Sequence, residues 1–297
     1  SVPPRLCGSR IIVLFHRSAA LPRYLLTNPS GTATVLSIMT MKAISLQSGS
    51  SGNCIYVEAG GVRLLFDAGI TGVQTKERLA AAGRDVRDVD AVIISHDHAD
   101  HCSHAGVLQR KFGLPVYMTP ATYAAAAARC PLGKMKDVRH FRSCDKLRFG
   151  DVVVHAVPTP HDGADSSVFV IEVGGKRLGV MTDLGHVFKD LIGLVSSLDA
   201  VFLESNYDPD MLSHGPYPVY LKQRIKGPRG HISNIEAAEV LSRASAGSRL
   251  QWACLAHLSE QNNHPEVALR THREVVADTL TLYVADRYKA SDVFTVV

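Results

Sequence analysis

The stretch Ser95-His96-Asp97-His98-Ala99-Asp100-His101 puts three imidazoles and two carboxylates into seven residues. Such a crowd of polar groups is costly to assemble unless a cation holds it together. His96 and His98 lie two apart, so on a strand end or tight turn both rings can face one point. Asp100 and His101 follow at once and can turn toward a second point nearby. Imidazole ligands for a borderline cation, with a carboxylate to share charge, are the layout of a two-metal site. Immediately before it runs Val89-Asp90-Ala91-Val92-Ile93-Ile94, short, apolar and β-branched, which reads as a buried strand. Ala105-Gly106-Val107-Leu108 then reads as a helix start. Layered α/β folds place their sites at such a position, past the carboxyl end of a buried strand.

Working outward, the same residue types recur at the ends of five further apolar strands. Asp67 closes Val62 to Phe66, and His161 follows Val152 to Val157 and a Pro-Thr-Pro turn. Asp183 ends Lys176 to Thr182, Glu204 ends Ala200 to Leu203, and His257 ends Ala253 to Ala256. One histidine after a strand is ordinarily structural; six strands delivering an acid or imidazole to one edge describe a reaction centre.

With these residues the sequence resembles the metallo-β-lactamase-fold hydrolases, whose signature H-x-H-x-D-H stands here as His96-Asp97-His98-Ala99-Asp100-His101. The resemblance covers Met41 to the C-terminus. Within the superfamily it is similar to the YycJ/WalJ-type branch of nuclease-like proteins. That finer likeness rests on Ser48-Gly49-Ser50-Ser51-Gly52-Asn53, Thr182 to His186, Glu204 to Asp208, Gly230 to Asn234 and Leu255 to Ser259. At Tyr207 the pattern leads us to expect histidine instead. The resemblance implies that His96, His98 and His161 hold one divalent ion, zinc or manganese. Asp100, His101 and His257 hold the other, Asp183 bridges them, and Asp67 orients an imidazole from behind. It also implies hydrolysis by a hydroxide bridging the ions, with Asp183, His231 and Glu204 in catalytic roles: Asp183 carrying the ion pair, His231 protonating the leaving group, Glu204 orienting it.

The residues themselves add detail. Ser233 followed three positions later by Glu236 has the form of a capping box, so a helix starts directly behind His231. Ser48, Ser50, Ser51 and Asn53 sit in a loop longer than a hairpin requires, either a plain turn or an anion nest for phosphate. Lys222, Arg224, Lys226 and Arg229 cluster before His231 and suit a phosphate backbone, or form a solvated face. His104 and His186 lie close to the ligands in sequence.

Composition bounds the rest. The 297 residues, 46% hydrophobic and 20% charged, fit a soluble globular protein. No apolar run approaches ~20 residues, so no membrane partner is expected. Six scattered cysteines without a C-x-x-C argue for a reducing, cytoplasmic setting. Residues 1–40 carry Arg5, Arg10, Arg17 and Arg23 but no acid, and read as a disordered leader or a misassigned start before Met41. Without those four arginines the net charge of +4 falls to zero, so overall charge says nothing about nucleic acid.

From Met41 onward the element order predicts one α/β domain, residues 41–297, in a four-layer αββα sandwich. Two Gly-Gly pairs, Gly60-Gly61 and Gly174-Gly175, read as two-residue hairpin turns. The function expected is a dinuclear-metal phosphodiesterase, a DNA or RNA exonuclease with nucleic acid as substrate. A small-ester, thioester or lactone hydrolase of the same fold is the alternative, and a non-enzymatic binding module a third.

Overall fold

The structure, a computed structural model, describes residues 40–297 and, before them, the backbones of three short strands. These are β1 (Ile11–Leu14), β2 (Tyr24–Thr27) and β3 (Ala33–Leu36). The remainder of the leader expected over residues 1–40 lies outside the described residues.

One sheet is built from β4 (Met41–Gln47), β5 (Cys54–Ala59), β6 (Val62–Phe66), β7 (Ala91–Ile93), β8 (Val116–Met118), β9 (Val138–His140) and β17 (Phe294–Val296). Its order is β17-β4-β5-β6-β7-β8-β9, antiparallel at first and parallel from β6 onward. The second uses β10 (Lys146–Phe149), β11 (Val152–Pro158), β12 (Ser167–Val173), β13 (Lys176–Met181), β14 (Ala200–Glu204), β15 (Trp252–Ala256) and β16 (Thr281–Val284). It runs β1-β10-β11-β12-β13-β14-β15-β16, with β13 to β16 mutually parallel. Both expected hairpins are present: Ala59 pairs with Val62 and Val173 with Lys176, and all four turn glycines have positive φ, as a type I′ turn demands.

Alternation along the strands sorts side chains to two faces. Ala43, Ile55, Val57 and Phe66 from the first sheet meet Val154, Phe169, Phe202 and Trp252 from the second in one inter-sheet core. The opposite face of the first sheet, with Ile44, Tyr56, Leu65 and Val92, packs on Leu79 of α1 (Gly72–Ala81), Leu108 of α3 (Ala105–Phe112) and Ala126 of α4 (Pro120–Arg129). On the second, Val170, Val201, Leu203 and Leu255 pack on α5 (Leu191–Ser196), α8 (Asn234–Ser245) and α9 (Pro265–Arg273). Strands buried on both faces read as continuous apolar runs, and the four layers are the αββα stack expected. Among the described residues no helix is long and apolar enough to cross a membrane.

The parallel strands end at one rim, where the site stands. Two features there were not foreseen. A helical turn, α2 (Ala99–Cys102), inserts before α3 with His98 at its N-cap, and it carries Asp100 and His101, the His101 ring centroid lying 4.2 Å from that of His96. Past β14, α6 (Pro209–His214) and α7 (Val219–Lys226) form a small wedge with its own apolar centre of Tyr207, Leu212 and Ile225. Tyr207, where histidine was expected, is buried in that centre.

Candidate metal centre

Six strand ends converge. Among the described residues four groups of donor atoms lie each within 4.8 Å of one another: His96, His98 and His161; His96, His101 and Asp183; Asp100, His101 and His257; and Asp183, Glu204, His231 and His257. Asp183 stands between the sets. Its Oδ1 is 3.5 Å from His161 Nε2 and 3.5 Å from His257 Nε2, and its Oδ2 is 3.2 Å from His101 Nε2. Asp100 Oδ2 closes the far side, 3.4 Å from His257 Nε2 and 3.5 Å from His101 Nε2. Asp67, Asp183 and His257 all adopt positive φ, a conformation disfavoured by side chains with a Cβ. Three such residues at strand ends around one site mark backbone bent to aim its side chains.

Hydrogen bonds behind the rings fix which nitrogen points inward. His101 Nδ1 donates to Asp67 Oδ2 at 2.7 Å. His96 Nδ1 donates to Ser95 Oγ at 2.9 Å, and that hydroxyl donates onward to Asp67 Oδ2 at 3.0 Å. His161 Nδ1 donates to Gly230 O at 2.8 Å, and His98 Nε2 lies 3.2 Å from Asp162 Oδ1. The three imidazoles so held turn His96 Nε2, His161 Nε2 and His101 Nε2 inward, and His98, whose Nε2 makes a charge contact but no hydrogen bond with Asp162, faces them with Nδ1. His161 Nε2 and His98 Nδ1 are 3.2 Å apart, and buried His96 Nε2 and Asp183 Oδ2 have no hydrogen-bond partner. Lone pairs facing one another in a buried space are satisfied by cations, and the donor set fits divalent ions.

Electrostatics agree at three of the four rings. At His101 burial is outweighed by the carboxylates of Asp183, Asp100 and Asp67, which raise its pKa well above the ordinary range, so an ion there would take the place of a proton. Burial, with His101 adjacent, holds His96 well below the ordinary histidine range; burial and His161 do the same to His98, and burial also lowers His161. All three are therefore neutral, the form that ligates. Burial alone would push the carboxyls of Asp100 and Asp183 up, but the surrounding imidazoles hold both well below the usual range.

Beside this cluster His231 Nδ1 donates to Glu204 Oε1 at 2.6 Å, while Glu204 Oε2 accepts the Leu184 and Ile232 backbone N–H groups at 2.9 and 3.3 Å. Burial opposes charge on His231, but Glu204, then Asp183 and Asp100, outweigh it and raise its pKa. The capping box of α8 is present, Ser233 and Glu236 bonding reciprocally, and it anchors the chain directly after His231.

The serine-glycine loop divides. Ser50 lines the cleft and Ser51 is exposed, whereas Ser48 and Asn53 are buried behind the ligands. Ser48 Oγ accepts the His257 N–H and donates to Asn53 Oδ1; Asn53 Nδ2 lies 3.0 Å from His101 Nε2 and 3.3 Å from Asp100 Oδ2. Asn206, Ser95 and Asp162 also touch these rings, at His257, His96 and His98, and were not picked out from the sequence. His186 bonds Pro228 O, His104 bonds Ser103 Oγ, and Cys102 packs against Cys130 with sulfurs 3.6 Å apart.

The sequence profile of the Beta-lactamase superfamily domain matches residues 62–251. Exodeoxyribonuclease WalJ of Streptococcus pneumoniae is 36% identical over 228 residues, 76% of this chain and 84% of that protein. Exodeoxyribonuclease YycJ of Bacillus anthracis is 33% identical over 233 residues, 78% of this chain and 88% of its own length. Among solved structures, the metallo-beta-lactamase fold protein YhfI from Bacillus subtilis superposes with a TM-score of 0.66 at 18% identity, covering 86% of this chain and 99% of that one. The profile match spans most of the chain, and both relatives lie above 30% identity over most of their length. The chain belongs to the metallo-β-lactamase-fold hydrolases, which are metal-dependent enzymes, and to their WalJ/YycJ-type nuclease-like branch.

Proposed function

We propose that the protein is a two-metal phosphodiesterase that removes nucleotides from DNA ends. The observation that carries this reading is the Asp183 carboxylate, set between two groups of inward-facing donors, with the His231–Glu204 pair alongside. The relatives named exodeoxyribonucleases support DNA as the polymer. In this reading His96, His98 and His161 would hold one ion, Asp100, His101 and His257 the other, and Asp183 stands where it could serve both. Two divalent ions so held supply Lewis acidity and lower the pKa of a water toward neutrality.

The remaining work belongs to side chains. Glu204 takes the Nδ1 proton of His231 in a hydrogen bond, which fixes the ring and favours its charged form. His231, on the cleft wall, then has a proton to give to a departing sugar oxygen. A phosphodiester needs such a donor because its leaving alkoxide is a strong base. His257 is the less suitable acid, since its Nε2 faces Asp100 and His101 among the ligand groups.

Protein loaded with manganese or zinc should degrade end-labelled DNA stepwise. H231A should lower kcat by about 10²–10⁴-fold while elemental analysis still finds about two ions per chain. H257A should lose an ion. Lactone cleavage without phosphodiester cleavage would reverse the reading, and loss of an ion from H231A would exchange the roles of the two histidines.

A further inference from the structure

Four basic residues precede His231, and the fold treats them differently. Lys222 Nζ is engaged by Ser213 O at 2.8 Å, while Lys226 and Arg229 point to solvent away from the cleft lining. Arg224 lines a cleft of about 230 Å³ together with Ser50, Tyr217 and His231. Its Nε donates to Asp162 Oδ2 at 2.7 Å, and the other oxygen of that carboxylate is 3.2 Å from His98 Nε2. Among the described residues, no hydrogen bond or ion pair engages Arg224 Nη1 or Nη2, and the side chain is 57% exposed. One edge of the guanidinium is therefore anchored and the outer fork is open.

The anchor is rigid. His231 N donates to Ile225 O at 2.9 Å, joining the end of α7 to the residue beside the ligands. The approach is close enough that a Cβ on Gly230 would stand 2.3 Å from Arg224 O. The same turn accepts the Nδ1 proton of His161 at Gly230 O and the N–H of Asp162 at Arg229 O. Underneath, Ile225 packs on Tyr207 and Leu212. Arg224 is thus fixed relative to His231, His161 and His98.

We propose that Arg224 grips the phosphate next to the scissile one on the bound strand, its outer fork taking two phosphate oxygens while Nε stays on Asp162. An arginine fork matches phosphate bidentately where a lysine offers a single point charge. Asp162 standing between Arg224 and His98 sets the guanidinium back from the reacting centre, which suits a neighbouring phosphate. Asp162 is then a positioning residue, one oxygen holding the guanidinium while the other makes a charge contact with His98. This inference rests on the phosphodiesterase reading, and its test is independent of turnover.

Fluorescence anisotropy of the zinc-loaded protein with a labelled single-stranded DNA made uncleavable by phosphorothioate linkages measures Kd across salt concentrations. R224Q should bind about ten-fold more weakly, and its log Kd against log salt slope should fall by about 0.7, the share of one phosphate on a single strand. R224K should keep the slope yet bind more weakly than wild type, because one ammonium cannot serve Asp162 and a phosphate as the fork does. D162N should keep the slope but lower zinc affinity in a competitive chelator titration, by removing the negative charge beside His98 and His161. R224Q with the wild-type slope and Kd would overturn the assignment of Arg224. Failure of metal-loaded wild-type protein to cut DNA would instead overturn the phosphodiesterase reading, and the two failures are read in separate assays.

Discussion

Asp67 never faces the ion sites, yet two imidazoles take their protonation pattern from it: His101 directly at 2.7 Å and His96 through Ser95 Oγ. In D67N one acceptor oxygen becomes an N–H donor, which collides with the His101 Nδ1 proton or the Ser95 hydroxyl. Asparagine tolerates the same positive φ, so the backbone is spared. We expect zinc affinity to fall about 10–100-fold, measured by competition with a chromophoric chelator. Unchanged affinity would mean that the rings are held by packing alone. The inward-facing residues were legible in sequence because a histidine or acid at a strand end carries its chemistry in its identity. Of their orienters Asp67 stood out as a strand-end acid, but Asn53 did not: it reads as part of a loop suited to an anion, yet its amide turns toward Asp100 and His101, 47 and 48 positions on. Only the folded chain supplies such a neighbour.

At the scale of elements, strands announced themselves through buried β-branched runs, and helices through caps such as Ser233 with Glu236. The pieces that escaped are short or irregular. α2 has four residues, too few for a periodic signal. The α6–α7 wedge buries few apolar side chains, so its pattern is weak, and Tyr207 shows its purpose only once Leu212 and Ile225 are seen beneath it. Histidines away from the site are not all neutral background either. His272 on α9 is fully buried, its Nδ1 donating to Ala268 O at 2.8 Å and its Nε2 without a hydrogen-bond partner. Burial pushes its pKa down to about 4. The fold thus favours the neutral ring, while the unfolded chain takes a proton below the ordinary value near 6.5. The stability His272 contributes is complete above that value and is lost as pH falls toward about 4. Between pH 7 and pH 4.5 this amounts to about 2–3 kcal/mol. Urea unfolding of the metal-free protein at both values should show wild type losing that much more than H272F; equal losses would mean His272 charges without penalty.

Across the whole molecule, the ligand groups divide between the sheets. His96, His98, Asp100 and His101 follow β7 of the first sheet, whereas His161, Asp183 and His257 follow β11, β13 and β15 of the second. Each proposed ion therefore draws on both sheets and cross-links them at the rim, above a core that holds them mainly by apolar packing, with Trp252 Nε1 donating to Thr295 O across it. Without cations, inward lone pairs and an Asp183 Oδ2 that makes no hydrogen bond remain buried, which raises the folded state relative to the unfolded chain. Ligand that binds only the folded chain stabilises it by mass action, by about 4 kcal/mol per site at a thousand times Kd. For a chain of this size one such site corresponds to a Tm rise of roughly 10 °C. Calorimetry of protein stripped by chelator and then reloaded with zinc should show at least that rise. D183N loses the one carboxylate touching both donor groups, so two adjacent dications repel without compensation and the rise should shrink below roughly 3 °C. A Tm indifferent to zinc in the wild type would mean that no ion joins the sheets, and the two-metal mechanism would go with it.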